Sequence, residues 1–262
     1  MPQPTIRPLA RRSLLLAGLA VATAWLPARA GLPEVVAAAR PAVVAIGVFD
    51  PLANPRFNFR GSGFAVADGQ LVATNAHVLP DDPQALAQLA LLPAGAPRTG
   101  AEAQLPVRKL VVVAVDRPRD LALLRLEGPP LPTLALATQP AREGQAVALI
   151  GFPLGSLLGF APVTHRGIIA SIAPFALPPP DAARLDAATV TRLRQTPFDI
   201  YQLDANAYPG NSGGPLLDAE TGEVLGLVNM VVAKSGRERL LNSPSGISYA
   251  IPVSHLRALI ER

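Results

Sequence analysis

Short apolar runs broken by turn residues make up most of the chain, and amphipathic stretches at helical spacing are few. Residues 32–40 form the first helix candidate, stopped by Pro41. From residue 42 the pattern turns to β. Residues 42–49 are a β-branched run, and residues 61–67 and 70–75 flank Asp68-Gly69, a dipeptide suited to a two-residue hairpin turn. Residues 105–115 and 121–126 are two more apolar runs, bracketing a polar stretch from Asp116 to Asp120. Gly128-Pro129-Pro130-Leu131-Pro132 then interrupts the pattern, and residues 128–133 read as a linker.

A second set of strands is predicted at 145–150, 163–172, 201–204, 215–217, 223–232 and 247–251, followed by a last helix over 255–260 with Ser254 as its cap. Two stretches read as insertions decorating this pattern. One is a helix-like segment opened by Asp82-Pro83 that runs into a Pro/Gly-rich loop at 93–100. The other spans 174–199 and holds a candidate helix at 181–194. Short strands at turn-rich spacing, in two sets of about six, predict an all-β fold of two antiparallel barrels, residues 31–127 and 134–262.

Composition narrows the function classes. Half of the 262 residues are hydrophobic and 16% are charged, so the chain can bury enough surface to offset its ordering entropy. There is no Cys, which excludes disulfides, thiolate metal sites and a cysteine nucleophile. The net charge of +4 arises from Arg7, Arg11, Arg12 and Arg29, and the remainder is neutral. A neutral body offers no electrostatic footprint for nucleic acid or an anionic membrane. The first thirty residues read as an export signal: a basic start, an apolar stretch over 13–26 and the small-x-small site Ala28-Arg29-Ala30. The run Arg11-Arg12-Ser13-Leu14-Leu15 is similar to a twin-arginine signal. The expected mature chain starts near Gly31, outside the cytoplasm, with no stable membrane insertion after cleavage.

The strongest chemical signal is Gly210-Asn211-Ser212-Gly213-Gly214-Pro215. A serine between glycines has an exposed hydroxyl and a backbone free to turn sharply. Amides of the segment Gly210, Asn211 and Ser212, those of Gly210 and Ser212 above all, can then converge on one developing oxyanion, worth about 3–4 kcal/mol per donor in a dry site. The serine needs a base, and only three His exist. His77 lies at the end of a predicted hairpin strand, whereas His165 and His255 read as structural. An acceptor must fix the tautomer of the base. Asp120, at the mouth of an apolar strand, is one candidate and Asp116 the competitor. Gly210–Gly214 also fits the G-x-S-x-G elbow of α/β-hydrolases, but that fold runs Ser, acid, His and follows the Ser with a helix, which Gly213-Gly214-Pro215 opposes. The order His77, Asp120, Ser212 is that of chymotrypsin-type proteases.

Thr74-Asn75-Ala76-His77-Val78, Asp120-Leu121-Ala122-Leu123-Leu124 and Gly210-Asn211-Ser212-Gly213-Gly214-Pro215-Leu216 resemble the three signature blocks of trypsin-like serine proteases, closest to the bacterial HtrA/Deg branch. Gly61-Ser62-Gly63-Phe64, Gly151-Phe152-Pro153-Leu154-Gly155 and Tyr249-Ala250-Ile251-Pro252 add to the similarity. The resemblance implies a double-barrel endopeptidase acting on polypeptides, with His77 as base, Asp120 as its orienter and Ser212 as nucleophile, and with neither metal nor cofactor. It places Asn229 where the family usually has a Ser or Thr contacting the acid, and offers Met230 and Val231 as a strand edge for an extended substrate. Asn206 stands where trypsins carry the acid that attracts Arg or Lys, so small or medium aliphatic residues are expected before the scissile bond. Asn211 replaces the Asp that pairs with a newly cut N-terminus in animal trypsins, so no such activation is expected. The branch usually carries a PDZ domain after the last predicted helix, and none is expected here. A homo-oligomer, a trimer by analogy, is a further implication. A non-catalytic peptide-binding module on the same fold and an esterase remain the alternative readings.

Overall fold

The computed structural model describes residues 31–95, 106–153, 155, 160–174, 198–229 and 247–262. Helix α1 (Leu32–Ala39) opens on a Pro in its first turn and passes through a 3₁₀ turn (Arg40–Ala42) into the first barrel. That barrel is built from β1 (Val43–Phe49), β2 (Phe57–Val66), β3 (Leu71–Thr74), β4 (Leu89–Pro93), β5 (Arg108–Asp116) and β6 (Leu121–Leu126). A short helix, α2 (Pro83–Ala87), precedes β4. The second barrel comprises β7 (Ala146–Gly151), β8 (Val163–Pro174), β9 (Asp199–Asp204), β10 (Pro215–Asp218), β11 (Val224–Asn229) and β12 (Ile247–Pro252), and helix α3 (Val253–Ile260) follows it.

Both barrels are closed and antiparallel, and both use one strand order. In the first the order is β1-β2-β3-β6-β5-β4, and in the second β7-β8-β9-β12-β11-β10. The expected fold class is therefore the observed one. Closure removes the exposed edges that such short strands would otherwise leave.

Two features of β1 explain why the sequence reads as it does. Its Val43, Val44, Ala45 and Ile46 are all fully buried. Val44 and Ile46 join Val72, Leu89, Leu91, Leu110 and Leu124 in a cluster confined to the first barrel. Val43 and Ala45 belong to a larger core that continues through Leu149, Ile150 and Leu216 of the second barrel. A strand buried on both faces shows an unbroken apolar run rather than alternation.

The expected element list needs three corrections. First, the segment following Asp82-Pro83 is not mere decoration. Asp82 does cap α2, its carboxylate accepting from Ala85 N at 2.8 Å, but the chain then enters β4, which pairs with β1 and β5 and closes the barrel. Second, the β2–β3 connection is not a two-residue turn. Strand pairing ends at Val66–Leu71, leaving a four-residue loop in which Ala67 and Gly69 take positive φ and Asp68 Oδ1 accepts from Gln70 N and Leu71 N. Third, Ser254 is inside α3, whose cap position is Pro252 with no side-chain bond. The candidate helix at 181–194 lies outside the described residues.

The connection after β6 stitches the two barrels. Leu131 N donates to Gly69 O and Leu134 N to Ala65 O in the first barrel. Ala137 N then donates to Val224 O in the second, and Val224 N returns a bond to Ala135 O. Arg257 of α3 reaches back to the carbonyls of Leu136 and Ala137.

Candidate active site

β3 ends at Thr74, and Asn75 in extended conformation starts the 3₁₀ turn Ala76–Val78 that carries His77. Arg60 of β2 fastens the far side of this turn, donating to Val78 O at 2.5 Å and Leu79 O at 3.0 Å. On the near side Ala76 N and Asn75 Nδ2 both donate to the carbonyl of Asp120. The loop bearing His77 is thus held from both flanks by neighbours within its own barrel.

Asp120 ends the turn between β5 and β6. Its φ is +55, in the left-handed region that Asp tolerates better than most residues. Asp116 prepares this turn. Its carboxylate, 7% exposed, accepts from Arg119 N at 3.2 Å and from the Arg119 guanidinium at 3.0 Å. Asp120 is left to face His77: Oδ1 accepts from His77 N at 2.8 Å and Oδ2 lies 2.6 Å from Nδ1. Of the two candidate acids, the geometry brings Asp120 to His77 and commits Asp116 to Arg119. A carboxylate can only accept, so Nδ1 carries the proton and Nε2 presents a lone pair. Asn229, at the end of β11 in the other barrel, donates Nδ2 to Asp120 Oδ2 at 2.8 Å. The substitution for the family's Ser or Thr therefore preserves the bond to the acid. His77 and Asp120 side chains are 29% and 23% exposed, so the pair sits at the lip of the groove and not in the core.

The Ser212 loop comes from the second barrel. Tyr208-Pro209-Gly210-Asn211 closes as a turn, with Asn211 N donating to Tyr208 O at 3.0 Å and Gly210 at φ +104. Pro followed by a residue at positive φ is the pattern of a type II turn, which calls for Gly at that position. Ser212 is 5% exposed. Its backbone is locked onto the first barrel, since Ser62 N donates to Ser212 O at 2.8 Å. Gly213, at φ +84, is pressed against residues just before His77: a β-carbon there would collide with the Ser62 carbonyl and Thr74 Oγ1 and would stand 3.1 Å from Asn75 N. On its other side Gly213 N donates to Val228 O. The serine loop thus lies between β2, the start of the His77 turn and β11.

The remaining predicted residues fall as follows. Asn206 is exposed, two residues past the end of β9. Asn211 is fully buried, with neither side-chain polar atom hydrogen-bonded. Met230 and Val231 lie outside the described residues. His165 on β8 is half-buried with its ring centre 5.5 Å from that of Tyr208, and His255 on α3 meets Phe198 edge-on at 5.2 Å. Burial lowers the pKa of both, as expected for structural imidazoles, and the Arg119 charge pushes that of His255 further down. Asn75, Arg60 and Ser62 were given no role by sequence reasoning. Their contribution is to backbone carbonyls and amides, which leaves no chemical signature beyond the Gly61-Ser62-Gly63 motif itself.

A family model for the trypsin-like peptidase domain matches residues 61–227, about two thirds of the chain. The chain belongs to this family. Among curated relatives, the chain is 33% identical over 242 residues to the mitochondrial serine protease HTRA2 of Bos taurus, covering 88% of this chain and 43% of that protein. It is 32% identical over 194 residues to a probable periplasmic DegP-like serine endoprotease of Pseudomonas fluorescens, covering 74% of this chain and 32% of that one. The chain thus spans less than half the length of these relatives. The same peptidase fold occurs in the serine endoprotease from Yersinia pestis, with a TM-score of 0.60 and 25% identity over 88% of this chain and 66% of that one. A protease from M. tuberculosis in its active form superposes with a TM-score of 0.61 at 21% identity, covering 98% and 93% of the two chains, and shows the shared fold.

Proposed function

We propose that this protein is a serine endopeptidase of HtrA type, with Ser212 as nucleophile, His77 as general base and Asp120 as the carboxylate that orients and stabilises the imidazole. The observation that carries the reading is the bidentate hold of Asp120 on His77, completed by Asn229 from the other barrel. A structural histidine has no need of a carboxylate that binds both its Nδ1 and its backbone N–H and is itself held by a side chain from the other barrel.

In this mechanism Ser212 Oγ attacks the peptide carbonyl while His77 Nε2 takes its proton. Asp120 stabilises the imidazolium without itself being protonated. The Gly210 and Ser212 amides, with Asn211 between them, receive the oxyanion. His77 then delivers the proton to the leaving amine, and water repeats the sequence on the acyl-enzyme. Among the described residues the Gly210 amide has no protein acceptor, which fits that role. Asn206 would border the pocket for the residue before the scissile bond, where its neutral amide favours no charge. Met230 and Val231 would continue β11 as the edge to which an extended substrate adds. The substrates we propose are unfolded or damaged polypeptides, met after export from a bacterial cytoplasm. The periplasmic relative supports the location, and a mitochondrial relative of similar identity is the competing precedent.

The test is a fluorophosphonate probe and casein turnover on residues 31–262. Labelling of wild type, with both labelling and turnover abolished in Ser212→Ala and the melting temperature unchanged, is the expected result. No labelling of wild type would leave a peptide-binding module. Labelling with ester but no peptide hydrolysis would indicate an esterase.

A further inference from the structure

Ser62 is fully buried at the middle of the barrel interface. A hydroxyl there has to find partners, because an unbonded one costs about 1–3 kcal/mol. Both partners of Ser62 Oγ lie on the second barrel. It donates to Gly210 O at 2.6 Å and accepts from Phe152 N, just past β7, at 3.0 Å. The backbone of the same residue donates to Ser212 O. One residue of the first barrel therefore holds three backbone groups of the second, two of them on the turn that carries the serine.

The effect on the peptide planes of that turn is specific. The Gly210–Asn211 plane is pinned at both ends, its oxygen by Ser62 Oγ and its N–H by Tyr208 O. The next plane is tied through Asn211 O to Gly214 N, and the one after through Ser212 O to Ser62 N and Gly213 N to Val228 O. Of these clamps only the Ser62 hydroxyl comes from a side chain, and it acts next to Gly210. Glycine imposes little steric resistance to rotation of the adjoining peptides. The Gly210 N–H belongs to the plane before the pinned one and the Ser212 N–H to the plane after it, so the Ser62 hydroxyl holds the plane that sets the relative direction of the two amides.

We propose that Ser62 is a positioning residue for the hydrolysis described above: its hydroxyl fixes the Gly210 carbonyl so that the Gly210 and Ser212 amides stay aimed at the oxygen that gains charge in the transition state. The inference rests on that reading of the site. It requires that Ser62 matter for the tetrahedral species and little for the bound peptide, since only the former places full charge on the oxygen. Alanine at 62 removes the donor and leaves Gly210 O and Phe152 N without their partner. Cysteine keeps the shape with a longer and weaker donor.

The experiment compares wild type, Ser62→Ala and Ser62→Cys on a chromogenic peptide, alongside binding of a peptidyl boronic acid, which forms a tetrahedral adduct, and of the corresponding non-reactive peptide amide. In Ser62→Ala, kcat is expected to fall about 30–100-fold, somewhat less than deletion of an oxyanion donor. Affinity for the boronate should fall by a similar factor, with KM and peptide-amide affinity within twofold of wild type. Ser62→Cys should lie between. Unchanged kcat in both variants, or equal losses for boronate and amide, would overturn the positioning role. Failure of both variants to fold would overturn it too, assigning Ser62 to the fold alone. A wild-type protein that neither hydrolyses the peptide nor reacts with fluorophosphonate would instead bring down the peptidase reading itself, and the inference with it.

Discussion

Asp120 adopts a left-handed backbone, and that torsion turns its carboxylate back onto the His77 loop. Asn also tolerates this region, so Asp120→Asn should fold with a melting temperature within a few degrees of wild type. Its amide would donate to Nδ1 and force the proton onto Nε2, the wrong tautomer for a base. A kcat loss of about 10⁴-fold is expected, read with a peptide substrate. Asn229→Ala removes one of the bonds that orient the same carboxylate. A smaller loss, about tenfold in kcat with KM nearly unchanged, should follow. At this scale much was legible in the sequence: the three blocks around His77, Asp120 and Ser212 are local strings. The choice between Asp116 and Asp120 came from the family resemblance and not from the local pattern of residues. Both flank one turn, and only the fold shows that Arg119 occupies the first of them.

Among the elements, β4 is the instructive case. Leu89–Pro93 reads as a short apolar stretch between a capped helix and a Pro/Gly-rich loop, too brief for periodicity to decide. Its identity as a strand comes from non-local pairing with β1, more than forty positions earlier in the register Ala45–Leu92 and Ile46–Leu91. Leu91 is fully buried within the first barrel, so Leu91→Ala should cost about 2–5 kcal/mol in chemical denaturation, where a surface decoration would cost almost nothing. The β10–β11 hairpin carries a pH-dependent contribution. Partial burial alone would raise the Asp218 pKa, but bonds from Thr221 N, the Gln145 amide and Glu220 N outweigh it and hold it below the usual carboxylate value. A lowered folded pKa means stabilisation that is complete above the unfolded value, near pH 4, and lost as pH falls through the folded one. Asp218→Ala should therefore be less stable than wild type at pH 6, and the gap should close by about pH 2 in urea melts.

In the whole molecule, one apolar core runs from α1 and β1 through the second barrel, and the connecting segment pairs with both halves. Unfolding should accordingly be a single cooperative step, with calorimetric and van't Hoff enthalpies equal. Two resolved transitions would show that the barrels are energetically separate. Sequence alone determined the strand-rich architecture in two sets, with β4 missing from the first, and the chemistry each block can offer, because apolar runs, turn residues and glycine-flanked polar residues act over a few positions. Tertiary structure alone decided how residues ninety or more positions apart meet, such as Ser62 with Phe152 and Gly210, and Asp120 with Asn229. Those meetings are set by barrel closure and by the docking of one barrel on the other. Their free energy comes from burying surfaces far apart in the chain, and no local pattern of residues encodes which of those surfaces will touch.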